Sequence, residues 1–243
     1  QVNVNPLYTP RELGHQLQDA GAETIVIFNM CTPTLAAVLA ETPVKNVITV
    51  ETDDLLNLYL DSPPVHPALA GRSTRFTDAL AQGAGMAYSR PDVTQDDLIF
   101  LQYTGGTTGL SKGAMLTHGN LLANMAGYEA FAGHLTSEGE ETIVTALPLY
   151  HIFALMVNLL THFRFGAKNV LIPNPRDMAA FVAELKRHRM TVFSGVNTLF
   201  GGLMMHPEFP TVDFSGLKIV WAGGSATAGP IAAKWAQVTG VEI

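Results

Sequence analysis

Two hydrophobic periods take turns along this chain. Leu13, Leu17 and Ala20 repeat at helical spacing behind Thr9-Pro10-Arg11-Glu12. Thr9 can cap that helix, Pro10 suits its first turn, Glu12 completes a capping box and Gly21 ends it. Thr24–Phe28 (TIVIF) then reads as a buried strand, Thr34–Ala40 as a short helix and Val44–Val50 as a second strand, which completes a β/α/β pass. The pattern lapses over Asp61–Pro91, where Pro63, Pro64, Pro67 and Pro91 stand among several glycines. A long connection around a short helix near Thr77–Gln82 is predicted there.

Regular patterning resumes with a strand over Leu98–Tyr103 and a short extended return over Gly113–Leu116. Helices are predicted over Asn120–Phe131, Ile152–Phe163, Thr198–Met205 and Gly229–Thr239. Another follows an Asp177 cap, with Met178, Phe181, Val182 and Leu185 on one face. Strands are predicted over Thr142–Ala146, Lys168–Ile172, Met190–Ser194 and Leu217–Trp221. Such alternation predicts an α/β fold of layered, mostly parallel sheets with flanking helices. The subdomain boundary is drawn after the proline-rich connection. Residues 1–91 then form a first α/β segment and residues 92–243 a second.

Composition narrows the function classes. Of the 243 residues, 47 % are hydrophobic and 14 % charged, so a sizeable core can form. The net charge of −7 argues against a nucleic-acid surface but not against a nucleotide, whose phosphates are bound locally. Cys31 is the only cysteine, which excludes an intrachain disulfide and a cysteine-cluster metal site and fits a cytoplasmic compartment. No metal ligand set is read. No apolar run approaches the ~20 residues of a membrane span. Gln1 stands where a methionine would, and Ile243 closes what reads as the start of a strand, so a fragment of a longer protein is expected.

The chemistry concentrates in Tyr103–Gly113, YTGGTTGLSKG. Glycines let backbone N–H groups turn toward an anion, hydroxyls add donors and Lys112 adds a mobile positive charge. A polyphosphate cradle and a plain glycine-rich hairpin both satisfy this composition. Walker A does not, because Lys112 is followed by Gly113 rather than Ser or Thr, and no Rossmann G-x-G-x-x-G occurs. By residue type alone, His151 in LPLYHIFAL fits a helix-start histidine as well as a site residue, Ala222–Ala226 (AGGSA) fits a strand–helix turn or a ligand position at a strand's carboxyl end, and Val196–Phe200 fits plain helix core or an apolar wall. Thr227 stands where a Ser225 nucleophile elbow needs glycine.

Residue order adds more. YTGGTTGLSKG resembles the phosphate loop of the adenylate-forming superfamily, with Gly105 for the usual serine and Ser111 for the usual proline. The first change removes a hydroxyl donor and the second is expected to loosen the loop's exit. VNPLYTPREL, THGN, ALPLYHIFAL, LIPNPRDM and SGVNTLF look like the bacterial long-chain fatty acid–CoA ligases. The resemblance implies ATP-dependent activation of a long-chain fatty acid to acyl-adenylate, then thioester formation with coenzyme A. Ligation of aryl or medium-chain acids, and a non-catalytic nucleotide- or acyl-binding module of the same fold, are the alternatives.

By the same resemblance, Tyr103, Thr104, Gly105, Gly106, Thr107, Thr108, Gly109, Lys112 and Gly113 hold the ATP phosphates. Thr107, Lys112 and His151 are the catalytic candidates. Gly223, Gly224, Ser225 and Ala226 face adenine; His151, Val196, Asn197, Thr198 and Phe200 face the acyl group. ATP, Mg2+ and coenzyme A are implied, with the fatty acid as further substrate, peripheral association at the inner membrane and no obligate protein partner. His118 is ranked as a helix-start residue. His15, His66, His134, His162, His188 and His206 belong to no motif and read as solvated or structural. The family's later motifs, a Gly-Tyr-Gly-x-Thr-Glu run, a ribose-binding aspartate and a C-terminal domain with a catalytic lysine, do not occur here. The isolated chain is therefore expected to have little ligase activity.

Overall fold

The computed structural model describes residues 1–54, 61–105 and 110–243. Its contacts group the chain into two compact units, Gln1–His118 and Gly119–Ile243. The boundary drawn from sequence after residue 91 falls inside the first unit. Main-chain bonding explains why. Gln1 donates from its amino terminus to the Ile99 carbonyl at 2.7 Å and accepts from Leu101 N–H at 2.9 Å, and Val2 bridges Leu101 in parallel. The strand that opens at Leu98 is thereby tied to the first residues of the chain.

In the first unit, α1 (Pro10–Asp19) begins with the capping box read from sequence: Thr9 Oγ1 accepts from Glu12 N–H, and Glu12 Oε2 accepts from Thr9 N–H. Strands β1 (Thr24–Phe28), β2 (Asn46–Val50) and β3 (Ser73–Arg75) form a parallel sheet in that order. Helix α2 (Thr32–Ala36) links the first two strands, and α3 (Phe76–Gly83) follows the third. TIVIF is not buried throughout. Ile25 and Ile27 enter the core with Leu13, Leu17 and Leu35, while Val26 is 59 % exposed, because successive strand side chains face opposite ways. An antiparallel hairpin of β4 (Leu98–Thr104) and β5 (Lys112–Thr117) completes the unit, with Tyr103 opposite Gly113 and Thr104 opposite Lys112.

The second unit is built on a parallel sheet in the order β7 (Lys168–Leu171), β6 (Thr142–Thr145), β8 (Val192–Gly195), β9 (Ile219–Ala222). One sheet face carries Val144, Phe193 and Val220. They pack on α6 (Met178–Leu185), α7 (Asn197–Met205) and α8 (Gly229–Thr239) through Phe181, Phe200 and Trp235. The opposite face carries Ile143, Val192 and Ile219 against Ala132 and Tyr128 of α4 (His118–Ala132). Burial on both faces is what a parallel sheet demands.

The apolar stretch after His151 differs from the predicted α-helix. Ala154–Thr161 is π-helical and runs into α5 (His162–Arg164). Asn158, which interrupts the run, is fully buried. It donates to Thr145 Oγ1 at 2.9 Å and to the Val144 carbonyl at 3.3 Å, accepts from Ser194 Oγ at 2.9 Å, and its own carbonyl accepts from Asn169 at 2.8 Å. One polar residue thus ties the π-helix to β6, β7 and β8, with its side-chain and main-chain groups engaged.

Candidate functional site

Strand order reverses around β6: β7 lies on one side of it and β8, next in sequence, on the other. Open parallel sheets take ligands in the crevice beyond the carboxyl ends of strands at such a switch point. The second-unit residues singled out from sequence all follow those ends. His151 comes after β6, Val196–Phe200 after β8, and Gly223–Ala226 after β9.

Three contacts join these segments. The Phe153 ring lies against Gly223, where an added Cβ would be 3.0 Å from Cε1 and Cζ. Even a methyl group there would force the ring away, so the plane that demands glycine within this chain is a phenylalanine. Val196 Cγ1 lies 3.9 Å from a Cβ built on Gly224, which turns the chain at φ 79°. Asn197 holds the next stretch: its Nδ2 donates to the Ala226 carbonyl at 2.8 Å and to Ser225 Oγ at 3.2 Å, and its Oδ1 accepts from Ala228 N–H at 3.0 Å.

His151 is exposed and accepts from Phe153 N–H through Nδ1 at 3.2 Å. In the neutral ring this leaves the proton on Nε2, which makes His151 a hydrogen-bond donor at the crevice. Thr198 is exposed. Phe200 is fully buried and packs edge-on to Trp235 and beside Phe193. His162 is also fully buried. Its Nδ1 bonds the Val157 carbonyl and its Nε2 faces Tyr128 Oη, which in turn accepts from Trp221 Nε1 at 3.4 Å. Burial lowers the His162 pKa and so favours the neutral ring, in which Nδ1 donates to the Val157 carbonyl and Nε2 accepts from Tyr128 Oη.

In the first unit, Tyr103, Thr104, Gly105, Lys112 and Gly113 form the stem of the glycine-rich loop. Gly106, Thr107, Thr108 and Gly109 lie outside the described residues. Thr104 and Lys112 pair across the ladder and both are exposed; among the described residues no ion pair engages Lys112. Tyr103 is buried, and its hydroxyl donates to Asp19 Oδ2 at 2.5 Å. Burial, and then this bond, hold the phenol well above the ordinary tyrosine pKa. Ser111 does not leave the exit loose: its Oγ donates across the stem to the Thr104 carbonyl at 2.7 Å. Its carbonyl accepts from His15 Nε2 at 3.0 Å.

Phe153, His15 and Asp19 were not read as site residues. Phe153 stood inside a quoted motif and could have been examined as a ring two residues beyond His151. Nothing in sequence links His15 to a loop 96 residues away. His118 opens α4, its N–H bonded to the Asp97 carbonyl at 3.0 Å.

The second unit is a parallel α/β layer with a switch point at β6, and the first unit carries a glycine-rich hairpin with Lys112 at its stem. The chain belongs to the AMP-binding enzyme family, which it matches over residues 1–243. It is 45 % identical over 252 residues to the long-chain-fatty-acid–CoA ligase of Salmonella typhimurium, covering 98 % of this chain and 44 % of that protein. It thus spans less than half the length of such curated relatives. Among solved structures it resembles the anthranilate CoA ligase AuaEII in complex with anthranoyl-AMP, with TM-score 0.78, 18 % identity, and coverage of 99 % of this chain and 43 % of that one. It also resembles the ATP-bound RpMatB-BxBclM chimera B3, with TM-score 0.75, 25 % identity, and coverage of 100 % and 43 %.

Proposed function

We propose that the protein carrying this chain activates a long-chain fatty acid in two steps. A carboxylate oxygen attacks the α-phosphorus of ATP, and pyrophosphate leaves with the bridging oxygen. The thiol of coenzyme A then loses its proton and attacks the carbonyl of the acyl-adenylate, and AMP leaves. The observation that carries this reading is the 45 % identity to a long-chain ligase over nearly the whole chain.

Charge management is the chain's share of the first step. A carboxylate must approach a polyanion, so donors and cations have to screen both. Lys112, exposed and free of ion pairs among the described residues, suits the β- and γ-phosphates, together with the hydroxyls and N–H groups of Thr104–Gly109. His151 suits the developing charge near the acyl carboxylate, because its Nδ1 is already occupied by Phe153 N–H and its Nε2 carries the donor. Gly223–Ala226 form the adenine side of the crevice, held in shape by Asn197. Val196 and Thr198 stand at the acyl side, with Phe200 behind them in the core.

Among the described residues no group of three His, Cys, Asp or Glu could hold a metal ion. Mg2+ would reach the site on nucleotide phosphates, as is usual for that ion. No helix among the described residues is long and apolar enough to cross a membrane. An apolar substrate would be met by a cytoplasmic protein through peripheral contact with the inner membrane. Lys112→Ala and Thr107→Ala, made together in the full-length protein, test the phosphate role. A large loss of ATP affinity and adenylation rate is expected; unchanged values would refute it.

A further inference from the structure

We propose that α1 positions Thr104 and Lys112 at the stem of the glycine-rich hairpin, acting through His15 and Asp19; this rests on the phosphate-binding reading of those two stem residues. His15 and Asp19 stand at i and i+4, so they share one face of the helix. That face grips both ends of the loop's stem. Asp19 takes the Tyr103 hydroxyl at 2.5 Å at the end of β4, and His15 donates to the Ser111 carbonyl at 3.0 Å, one residue before Lys112. The Ser111 hydroxyl closes the stem onto the Thr104 carbonyl at 2.7 Å. Three hydrogen bonds therefore set the peptide that carries Lys112 and the strand end that carries Thr104.

The anchor itself is rigid. Leu13 and Leu17 are buried in the core of the first unit, the capping box closes the helix start, and Gln16 donates to the Asn3 carbonyl at 2.8 Å. A cleft of about 190 Å3 is lined by both α1 and the stem, through Arg11, His15, Gln16, Gly105, Leu110 and Ser111 among others. The hydrogen bonds of His15 and Asp19 couple helix to stem beside it. His15 and Asp19 are positioning residues and need not touch the nucleotide.

The test is ATP–pyrophosphate exchange by the full-length protein carrying His15→Ala, His15→Gln, Asp19→Ala or Lys112→Ala. His15→Ala should raise KM for ATP by roughly tenfold, because small misplacement of a binding group has large effects. KM for the fatty acid should stay within about twofold if the effect is confined to phosphate placement. His15→Gln, which keeps an N–H donor, should recover most of the loss, and Asp19→Ala should resemble His15→Ala. Parallel rises in both KM values, no change in KM for ATP, or failure of glutamine to rescue would overturn the proposal. Lys112→Ala separates the two levels. If it weakens ATP binding while His15→Ala does not, positioning by α1 is wrong and the phosphate reading stands. If Lys112→Ala has no effect, the phosphate reading falls and this inference falls with it.

Discussion

Tyr103 and Gly113 face each other across the β4–β5 ladder so closely that a Cβ on Gly113 would lie 3.0 Å from Cε2 of the Tyr103 ring. The ring that fills this space also carries the hydroxyl bound to Asp19. Gly113→Ala should push the ring away and weaken that bond, costing about 1–3 kcal/mol in line with other overpacking substitutions. Urea unfolding of the variant measures it. Wild-type stability would show that the ring can yield freely and that the stem is not built around this contact.

A second prediction concerns Gly223 and Phe153. Gly223→Ala should displace the Phe153 ring, and Phe153→Ala should remove the obstacle. A double-mutant cycle should therefore show coupling of about 1 kcal/mol, within the range for residues in contact. Strict additivity would mean that the ring and the glycine do not constrain each other in solution.

Asn158 anchors the π-helix to three strands. Asn158→Leu would leave the Ser194 hydroxyl without its acceptor and Thr145 without its donor in a buried site. A loss of about 2–4 kcal/mol is expected for such a network. Thermal unfolding that leaves the midpoint unchanged would contradict the role assigned to this residue.

The buried Glu141 gives a pH test. Burial raises its pKa, but the Lys218 ammonium at 2.7 Å, Thr191 and the Ser137 N–H outweigh burial, and the net shift is downward from the ordinary 4.5. A carboxylate with a depressed folded pKa stabilises the protein above the unfolded value, and that stabilisation is lost as pH falls through the folded value. Wild-type stability should thus decline as pH drops below about 4.5. Lys218→Met removes the main counter-charge and leaves the Thr191 and Ser137 bonds to oppose burial. It should cost about 1–3 kcal/mol near neutrality, a discounted value because Lys218 is partly exposed, and make the decline at low pH shallower. Identical slopes for the two proteins would contradict the pair's importance.

Helix α1 was legible in sequence because its capping box and its core spacing are local signals, and the strands of the second unit because their apolar runs are bounded by turn residues. Strand β3 was not: three residues, Ser73–Arg75, within a proline- and glycine-rich stretch carry no period, and the strand exists because it pairs with β2. The π-helix reads as α-helix in sequence because an apolar run carries no signal that separates i→i+4 from i→i+5 bonding, and the partners of Asn158 on β6, β7 and β8 are not visible in its own segment. The crevice residues could be named from motifs, but their partners could not. That Phe153 presses on Gly223, or that Asn197 holds residues 225–228, depends on where the strands end in space. Two polar groups on α1, His15 and Asp19, gave no sign of reaching a loop more than eighty residues later.

Long-chain acyl activation by the protein that carries this chain is a claim about substrate class, and turnover reads it. ATP–pyrophosphate exchange by the full-length protein, measured over acids of graded chain length together with benzoates, tests it most directly. Exchange should depend on added acid, with the highest kcat/KM for long-chain fatty acids. A best rate with benzoates or short acids would contradict the long-chain assignment, and no exchange with any acid would leave a binding module in place of an enzyme.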